Sequence, residues 1–395
     1  MKKINNQKIK ELLSRGTEEI ISFDDLKKKL ESGKKLRIKL GIDPTSPNIH
    51  LGRSIPLLKL RDFQELGHQA VFIIGDFTGT IGDTSDKESE RPMLEQETIK
   101  KNLKNYIAQA GKIVDMKKAE IYYNSKWLGK LGYGEIGFQA DQFSLNEFIS
   151  RENISKRLND GKRIVLRELL YPLMQAYDSV QVKADVELGG TDQKFNVLAG
   201  RTLQKAYKQE PQNIITNPLI EGLDGRKMSS SWGNTVNLMD SPDDMFGKLM
   251  SLKDEFIIRY FTLLTRVDMK EIRKYEVEMN SGANPKDYKM KLAYEIVRFY
   301  HSEKDAQKAK DNFETQFQKG AVPENVQEFK IKAGEGILVV LHQIGFASSN
   351  SEARRKIQEG AVKLDDEKVV DVNYILDKGE RIVRLGRKIG KLKIK

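Results

Sequence analysis

From Lys35 to about Thr216, short apolar runs alternate with amphipathic stretches, and this alternation limits the fold more than any other feature of the chain. LRIKLGI, QAVFIIGDF, VELGG and NIITNPLI have the texture of strands, whereas HLGRSIPLLKLRDFQEL and NVLAGRTLQKAY read as the amphipathic pieces between them. Repetition of this kind predicts an α/β fold, a parallel sheet wrapped by helices. Leu51, Ile55, Leu58 and Leu66 fall near one helical face, and Pro56 is tolerable only in a first turn, so a helix is expected to start close to His50. Following a strand, that start lies at the carboxyl edge of the sheet, where open α/β folds bind ligands.

At 395 residues the chain is long enough for two or three domains. After Val236 the texture turns helical. SPDD at 241–244 places Ser as N-cap, Pro in the first helical position and acids in the first turn. Asn284-Pro285 repeats the signal before a helix in which Tyr288, Leu292, Ile296 and Phe299 recur. Gly320 and Pro323, in GAVPENVQEF, mark a linker. The tail then reads as two helices, GILVVLHQIG and NSEARRKIQEG, and short strands around Val362, Val369, Ile382 and Lys393, with a hairpin turn at Asp365-Asp366.

The absence of cysteine removes disulfides, thiolate metal sites and a thiol nucleophile. The four histidines show no metal-ligand spacing, so no protein-bound metal is expected and any metal should arrive with a substrate. Apolar runs such as Ala70 to Ile74 and Ile337 to Leu341 are far short of a membrane span, and MKKINNQKIKELL lacks a signal-peptide apolar stretch. A cytoplasmic protein with no membrane contact is the expectation. The net charge is +11, and from Lys330 to Lys395 there are fifteen Lys and Arg against nine Asp and Glu. More than half the surplus thus lies in the tail, which is the candidate nucleic-acid module.

Two segments carry the chemistry: GIDPTSPNIHLGR at 41–53 and GRKMSSSWGN at 225–234. In the first, Gly41 and Gly52 let backbone approach a ligand, and the helix start offers unpaired N–H groups to a phosphate, with His50 as donor and Thr45 as a hydroxyl in the same turn. In the second, Lys227 sits among Gly225, three serines and Gly233, a composition suited to a mobile loop that closes a cation over a polyphosphate. Taken singly, each also fits an ordinary connection. Tyr171, Gln175 and Asp178 share one face of a helix and can line a pocket together.

Taken together, the two segments resemble the HIGH and KMSKS signatures of the class I aminoacyl-tRNA synthetases, in the same order and at fitting separation. LYPLMQAYD at 170–178 and LGGTDQKFN at 188–196 resemble the substrate-pocket segments of the tyrosyl enzymes of that class. The tail looks like the ribosomal-protein S-four type RNA-binding module that many bacterial members carry. The resemblance implies a Rossmann-like catalytic domain over 1–236 with a connective insertion at about 102–162, then an α-helical domain over 237–322 that meets the anticodon arm. A small α+β RNA-binding domain follows over 330–395. It implies activation of tyrosine by ATP, accompanied by Mg2+, to an adenylate, and transfer to the terminal adenosine of tRNA, in a homodimer joined through the insertion. Phe138, Phe143 and Phe148 offer that insertion apolar material.

By the same match Thr45, His50, Lys227 and Ser230 are catalytic. Gly41, Asp43, His50, Gly52, Gly190, Asp192 and Lys227 would bind ATP. Asp83, Tyr171 and Gln175 would hold the substrate ammonium, Gln193 would lie near the carboxylate, and Asp178 would meet the hydroxyl. Arg354, Arg355 and Lys356, on a tail helix, would bind RNA phosphates. A site built to bond a hydroxyl rejects the analogue that lacks it because its buried polar groups are then unpaired, a rule for which the tyrosyl enzymes are the standing illustration. Three positions depart from the pattern: Arg53 ends the first signature in place of His, Ser230 stands where the second has its second Lys, and Lys39 stands where many bacterial tyrosyl enzymes have Tyr. Arg53 or Arg226 is expected to supply the missing charge. A tryptophanyl relative and a non-catalytic RNA-binding relative are the alternatives, separated by which amino acid, if any, drives pyrophosphate exchange.

Overall fold

A computed structural model describes residues 5–83, 93–317, 326–386 and 388–395. The chain forms two compact units, 1–306 and 307–395. The linker residues Gly320 and Pro323 lie outside the described residues.

In the first unit, six strands form one sheet in the order β1-β6-β5-β2-β3-β4. They are β1 (Glu19–Ile21), β2 (Arg37–Ile42), β3 (Gln69–Ile74), β4 (Glu120–Tyr123), β5 (Val186–Gly190) and β6 (Asn213–Asn217). β2 to β6 run parallel, and β1 is an antiparallel edge on β6. β2 and β3 are apolar along most of their length because both faces are covered, as the run of buried Ile38, Leu40, Val71, Phe72, Ile73 and Ile74 shows. The chain leaves β2 toward β3 and β4 on one side, whereas β5 and β6 lie on the other. The β2/β5 boundary is therefore the switch point at which the carboxyl ends of the strands open a crevice.

The helix after β2 spans Leu51–Glu65 with His50 as N-cap. Pro56 is its sixth residue, beyond the first turn where the sequence reading required it. Its missing N–H leaves the Gly52 carbonyl without a helical partner, and burial of Leu51, Ile55, Leu57, Leu58, Leu60 and Phe63 holds the helix together across that gap. The helical starts read from SPDD and Asn284-Pro285 are present, with Ser241 capping Pro242–Met250 and Asn284 capping Pro285–Tyr300.

Residues 237–306 belong to the same compact unit as the sheet, and a buried polar knot explains the attachment. Arg15, only 6% exposed, follows the helix Asn6–Ser14 and donates to the carbonyls of Phe261, Thr262, Thr265 and Val267 at the end of the helix Ile257–Leu264. Lys59, on the Leu51–Glu65 helix, donates to the carbonyls of Leu12 and Arg15, and Arg266 makes a two-pronged pair with Asp62.

The second unit has a sheet in the order β7-β11-β10-β8-β9. Its strands are β7 (Glu328–Ile331), β8 (Val362–Leu364), β9 (Glu367–Lys368), β10 (Gly379–Leu385) and β11 (Lys388–Ile394). The helices Ile337–Gln343 and Asn350–Gln358 share its core, in which Val340, Leu341, Ile357, Val383 and Leu392 are buried. Asp365 and Asp366, at φ 50° and 67°, form the tight turn between β8 and β9, a conformation that Asp tolerates better than most residues. No helix among the described residues is long and apolar enough to cross a membrane.

Arg15→Ala removes a donor from four carbonyls, of which those of Phe261 and Thr265 keep another, and is expected to lower the unfolding free energy by about 3 kcal/mol in urea denaturation. Glu11→Ala removes only a half-exposed ion pair to Arg15 and should cost less than about 1 kcal/mol. Equal effects of the two substitutions would contradict the knot.

Candidate active site

The crevice at the β2/β5 boundary is a cavity of about 510 Å³, with walls that include Leu40 and Gly41 from β2 and Leu188 and Gly189 from β5. Thr45, His50, Lys227, Ser230, Gly41, Asp43, Gly52, Gly190, Asp192, Asp83, Tyr171, Gln175, Asp178 and Gln193 all line it. These are all the small-molecule site residues read from the sequence, so segments far apart in the chain converge on one cavity.

Backbone pairing brings the two signature segments together. Leu51 N–H donates to Val236 O and Leu238 N–H to Ile49 O, both at 2.9 Å, around a bridge between His50 and Asn237. The loop 225–234 therefore leaves from a strip of chain fixed on the HLGR turn. Gly52 N–H also points at Met228 Sδ, 3.2 Å away. A Cβ on Gly52 would lie 3.1 Å from the His50 ring, so glycine keeps that turn tight. Asn234 fastens the loop: its Oδ1 accepts from Ser229 N–H, and its Nδ2 donates to Asp224 and to Lys227 O.

His50 is buried, and burial, with the neighbouring Arg53 and Lys227 charges, drives its pKa down to about 3. Its imidazole is neutral near pH 7 and able to donate a hydrogen bond through one ring nitrogen. Lys227 Nζ lies 2.9 Å from Asp192 Oδ2. Arg53 donates to Tyr106 Oη at 2.6 Å and to Thr45 Oγ1 at 3.2 Å, and it lines the cavity. Arg226 is instead bound to Asp224, lies over the Trp232 ring and is largely exposed. Of the two arginines proposed to supply charge, only Arg53 is in the cavity wall.

At the other end, the helix Leu166–Val182 presents Tyr171, Gln175 and Asp178 to the cavity, as their spacing requires. Tyr171 donates to Asp43 Oδ2 at 2.8 Å, and Thr78 Oγ1 donates to Asp43 Oδ1 at 2.7 Å. Asp178 accepts from Trp127 Nε1 at 2.8 Å and from Asn124 Nδ2 at 3.3 Å. Gln193 donates to Asp83 at 2.6 Å and accepts from Asn196 at 3.0 Å. Burial raises Asp43 to about 6 and Asp178 to about 7, against the bonds that favour their charged forms. It pushes the Tyr171 phenol well above its ordinary range.

Sequence reasoning missed Thr78, Asn124, Trp127 and Gly75. Asn124 and Trp127 lie beyond β4, on a connection with no motif of its own, and nothing in the spacing of residues pointed to them. Gly75 gives way to Asp43: a Cβ there would fall 1.9 Å from Asp43 Oδ1. Lys39, the third departure, does not line the cavity. The tail arginines Arg354 and Arg355 are exposed on their helix, and Lys356 is paired with Glu359 at 2.7 Å. Phe138 stays 43% exposed, but Phe143 and Phe148 pack edge to face, and Phe148 goes on to Phe195, so the latter two serve the interior.

A family model described as tRNA synthetases class I (W and Y) matches residues 5–318, and an S4 domain model matches 335–382. The chain belongs to the class I tRNA synthetases of this family and carries an S4 domain at its carboxyl side. Within that class it groups with the tyrosine–tRNA ligases: it is 44% identical to that of Thermotoga maritima over 95% of both chains. It is also 47% identical to the one of Shewanella oneidensis over 93% of both. Among solved structures, the fold is shared over 80% of this chain with a C-terminally truncated mitochondrial tyrosyl-tRNA synthetase of Aspergillus nidulans (TM-score 0.65, 22% identity, 95% of that chain). It is shared as well with the tyrosyl-tRNA synthetase of Archaeoglobus fulgidus complexed with L-tyrosine (TM-score 0.62, 22% identity, 77% and 99%).

The raised carboxyl pKa of Asp178 has a consequence for stability. Its folded value, about 7, lies above the ordinary 3.8, so its contribution is full below about pH 4 and is lost as pH rises through 7. In the ligand-free protein, Asp178→Asn should therefore gain on the wild type by about 2 kcal/mol between pH 5 and pH 8 in paired denaturation curves. A difference that does not change with pH would mean that Asp178 titrates as an ordinary surface acid.

Proposed function

We propose that this chain is a tyrosine–tRNA ligase, which joins L-tyrosine to ATP as tyrosyl-adenylate with release of pyrophosphate and passes the tyrosyl group to the terminal adenosine of its tRNA. The observation that carries the reading is the single cavity on which both signature segments and the YxxxQxxD helix face converge.

The reaction needs no covalent enzyme intermediate. It needs the tyrosine carboxylate held in line with the α-phosphate and a sink for the negative charge that grows on the leaving pyrophosphate. Asp178 accepts the phenol O–H at the closed end, where Trp127 and Asn124 already donate to its two oxygens. Asp83, Tyr171 and Gln175 lie where the ammonium is received, and Gln193 beside the carboxylate. The ribose meets Gly190 and Asp192; an added Cβ on Gly190 would crowd Asp192 at 2.4 Å, so the backbone there stays bare. Gly41 and Gly52 let the chain approach the nucleotide. At the phosphates, Thr45 and neutral His50 donate hydrogen bonds, Lys227 exchanges Asp192 for phosphate oxygen as its loop closes, and Ser230 adds a hydroxyl. Arg53 supplies the second positive charge that Ser230 does not. Mg2+ enters as part of the nucleotide substrate and takes its ligands from the phosphates.

The segment 237–322 is assigned to the anticodon arm, and the unit with Arg354, Arg355 and Lys356 to tRNA phosphates. The protein works in the cytoplasm as a homodimer: Tyr133, 95% exposed, with exposed Phe138 and Leu145, gives the connective segment an apolar surface for a second copy.

Tyrosine-dependent exchange of labelled pyrophosphate into ATP tests the reading. Exchange is expected with tyrosine and not with tryptophan. Arg53→Ala and Lys227→Ala should each lower kcat by about 100-fold, while Arg226→Ala stays within about threefold of wild type. Absence of tyrosine-dependent exchange, or exchange driven by tryptophan, would contradict the assignment.

A further inference from the structure

Lys39 of β2 and Glu187 of β5 are direct neighbours across the parallel pairing, and both are shut off from solvent. The ammonium and carboxylate meet at 2.8 Å. Lys39 Nζ also donates to Ser179 Oγ at 2.7 Å and to the Gln175 carbonyl at 2.8 Å, so its three donors have three partners. Glu187 accepts in addition from Gln175 Nε2 at 3.2 Å, from Ser179 Oγ at 3.0 Å and from Gln212 Nε2. The helix Lys194–Ala206 closes over the cluster through Gly200, where a Cβ would meet Gln212 Nε2 at 2.5 Å and Ser179 Oγ at 3.0 Å.

Two full charges in the middle of an apolar sheet are a costly way to join strands, since an apolar pair of similar volume holds such a place at least as well. What an apolar pair cannot do is grip a helix at chosen atoms. Here Gln175 is held at both its carbonyl and its side-chain amide, and Ser179 at its hydroxyl. Asp178 lies between those two contacts, on the same turn as Ser179. Its carboxylate faces Lys39 and Glu187 from the sheet, Tyr171 on its own helix, and the uncharged Trp127 and Asn124 opposite.

We propose that the Lys39–Glu187 pair is the positioning device of the hydroxyl subsite, fixing the Gln175–Ser179 turn so that Asp178 accepts the phenol O–H and the cavity refuses a ring without one. The proposal rests on the tyrosine reading above. Lys39 is a positioning residue, because it lies behind the wall and acts through Gln175, Ser179 and the field at Asp178.

The test uses the full-length chain, pyrophosphate exchange with tyrosine and with phenylalanine, and two variants: Lys39→Met, and Lys39→Met with Glu187→Gln, which keeps the volume and removes both charges. Lys39→Met is expected to raise KM for tyrosine by about tenfold, with KM for ATP within about twofold. Losing the Lys39 charge lifts the Asp178 pKa, so the acid limb of kcat/KM for tyrosine should move up by about one pH unit. In the double variant the limb should return toward wild type, because the opposing Glu187 charge is gone too, while the tyrosine-to-phenylalanine ratio of kcat/KM stays about tenfold lower because the Gln175 carbonyl and the Ser179 hydroxyl have lost the Lys39 ammonium. A double variant that melts cooperatively and keeps the wild-type tyrosine KM and ratio would overturn the proposal, whether or not the single variant folds. Failure of the wild-type chain to exchange with tyrosine would strike at the functional reading instead, and is seen before any variant is made.

Discussion

Two backbone hydrogen bonds, Leu51 to Val236 and Leu238 to Ile49, hold the site in one piece. They clamp the strip that follows the KMSSS loop onto the turn that starts the Leu51–Glu65 helix. The loop is thereby tethered at one end beside His50; at its other end Lys227 bridges to Glu221 and Met228 N–H donates to Ile220 O, while Met228 Sδ meets Gly52 N–H. In the proposed reaction, a loop held this way would carry Lys227 to a triphosphate without a search, so the loss of chain freedom would fall on folding and not on each catalytic cycle.

Charge is unevenly spread along the cavity wall, with Arg53 and Lys227 beside His50 and the buried carboxyls of Asp43 and Asp178 elsewhere in the lining. Near the helix start, His50 is kept neutral by burial between Arg53 and Lys227, so it donates a hydrogen bond and does not add a third full positive charge. Burial also pulls the carboxyls of Asp43 and Asp178 up toward neutrality, against the hydrogen bonds that favour their charged forms. Within the cavity wall, Lys227 pairs with Asp192 and Gln193 donates to Asp83.

Much of this was legible in the sequence. The parallel sheet followed from the apolar runs, and the helix face of Tyr171, Gln175 and Asp178 from spacing. The helix starts at Ser241 and Asn284 followed from capping chemistry. What stayed hidden has physical reasons. β1 is three residues long and half-buried, too short for periodicity to show. Asn124 and Trp127 reach Asp178 across more than fifty residues of chain, and a single sequence carries no signal of such a meeting. Pro56 was read as a first-turn residue because propensity forbids it deeper, and the packing of the helix overrode that preference. Lys39 could be flagged as a departure, but that its charge is spent on Glu187 and the Gln175–Ser179 turn is visible only in three dimensions.

The central claim is that the tethered loop and the helix start close on one triphosphate. A crystal structure with tyrosinol and a non-hydrolysable ATP analogue measures this directly. The account requires the Lys227 ammonium to have left Asp192 and to lie within hydrogen-bond distance of the same phosphate chain that His50 and Arg53 touch. Nucleotide bound elsewhere, or Lys227 still on Asp192 with the triphosphate in place, would contradict it.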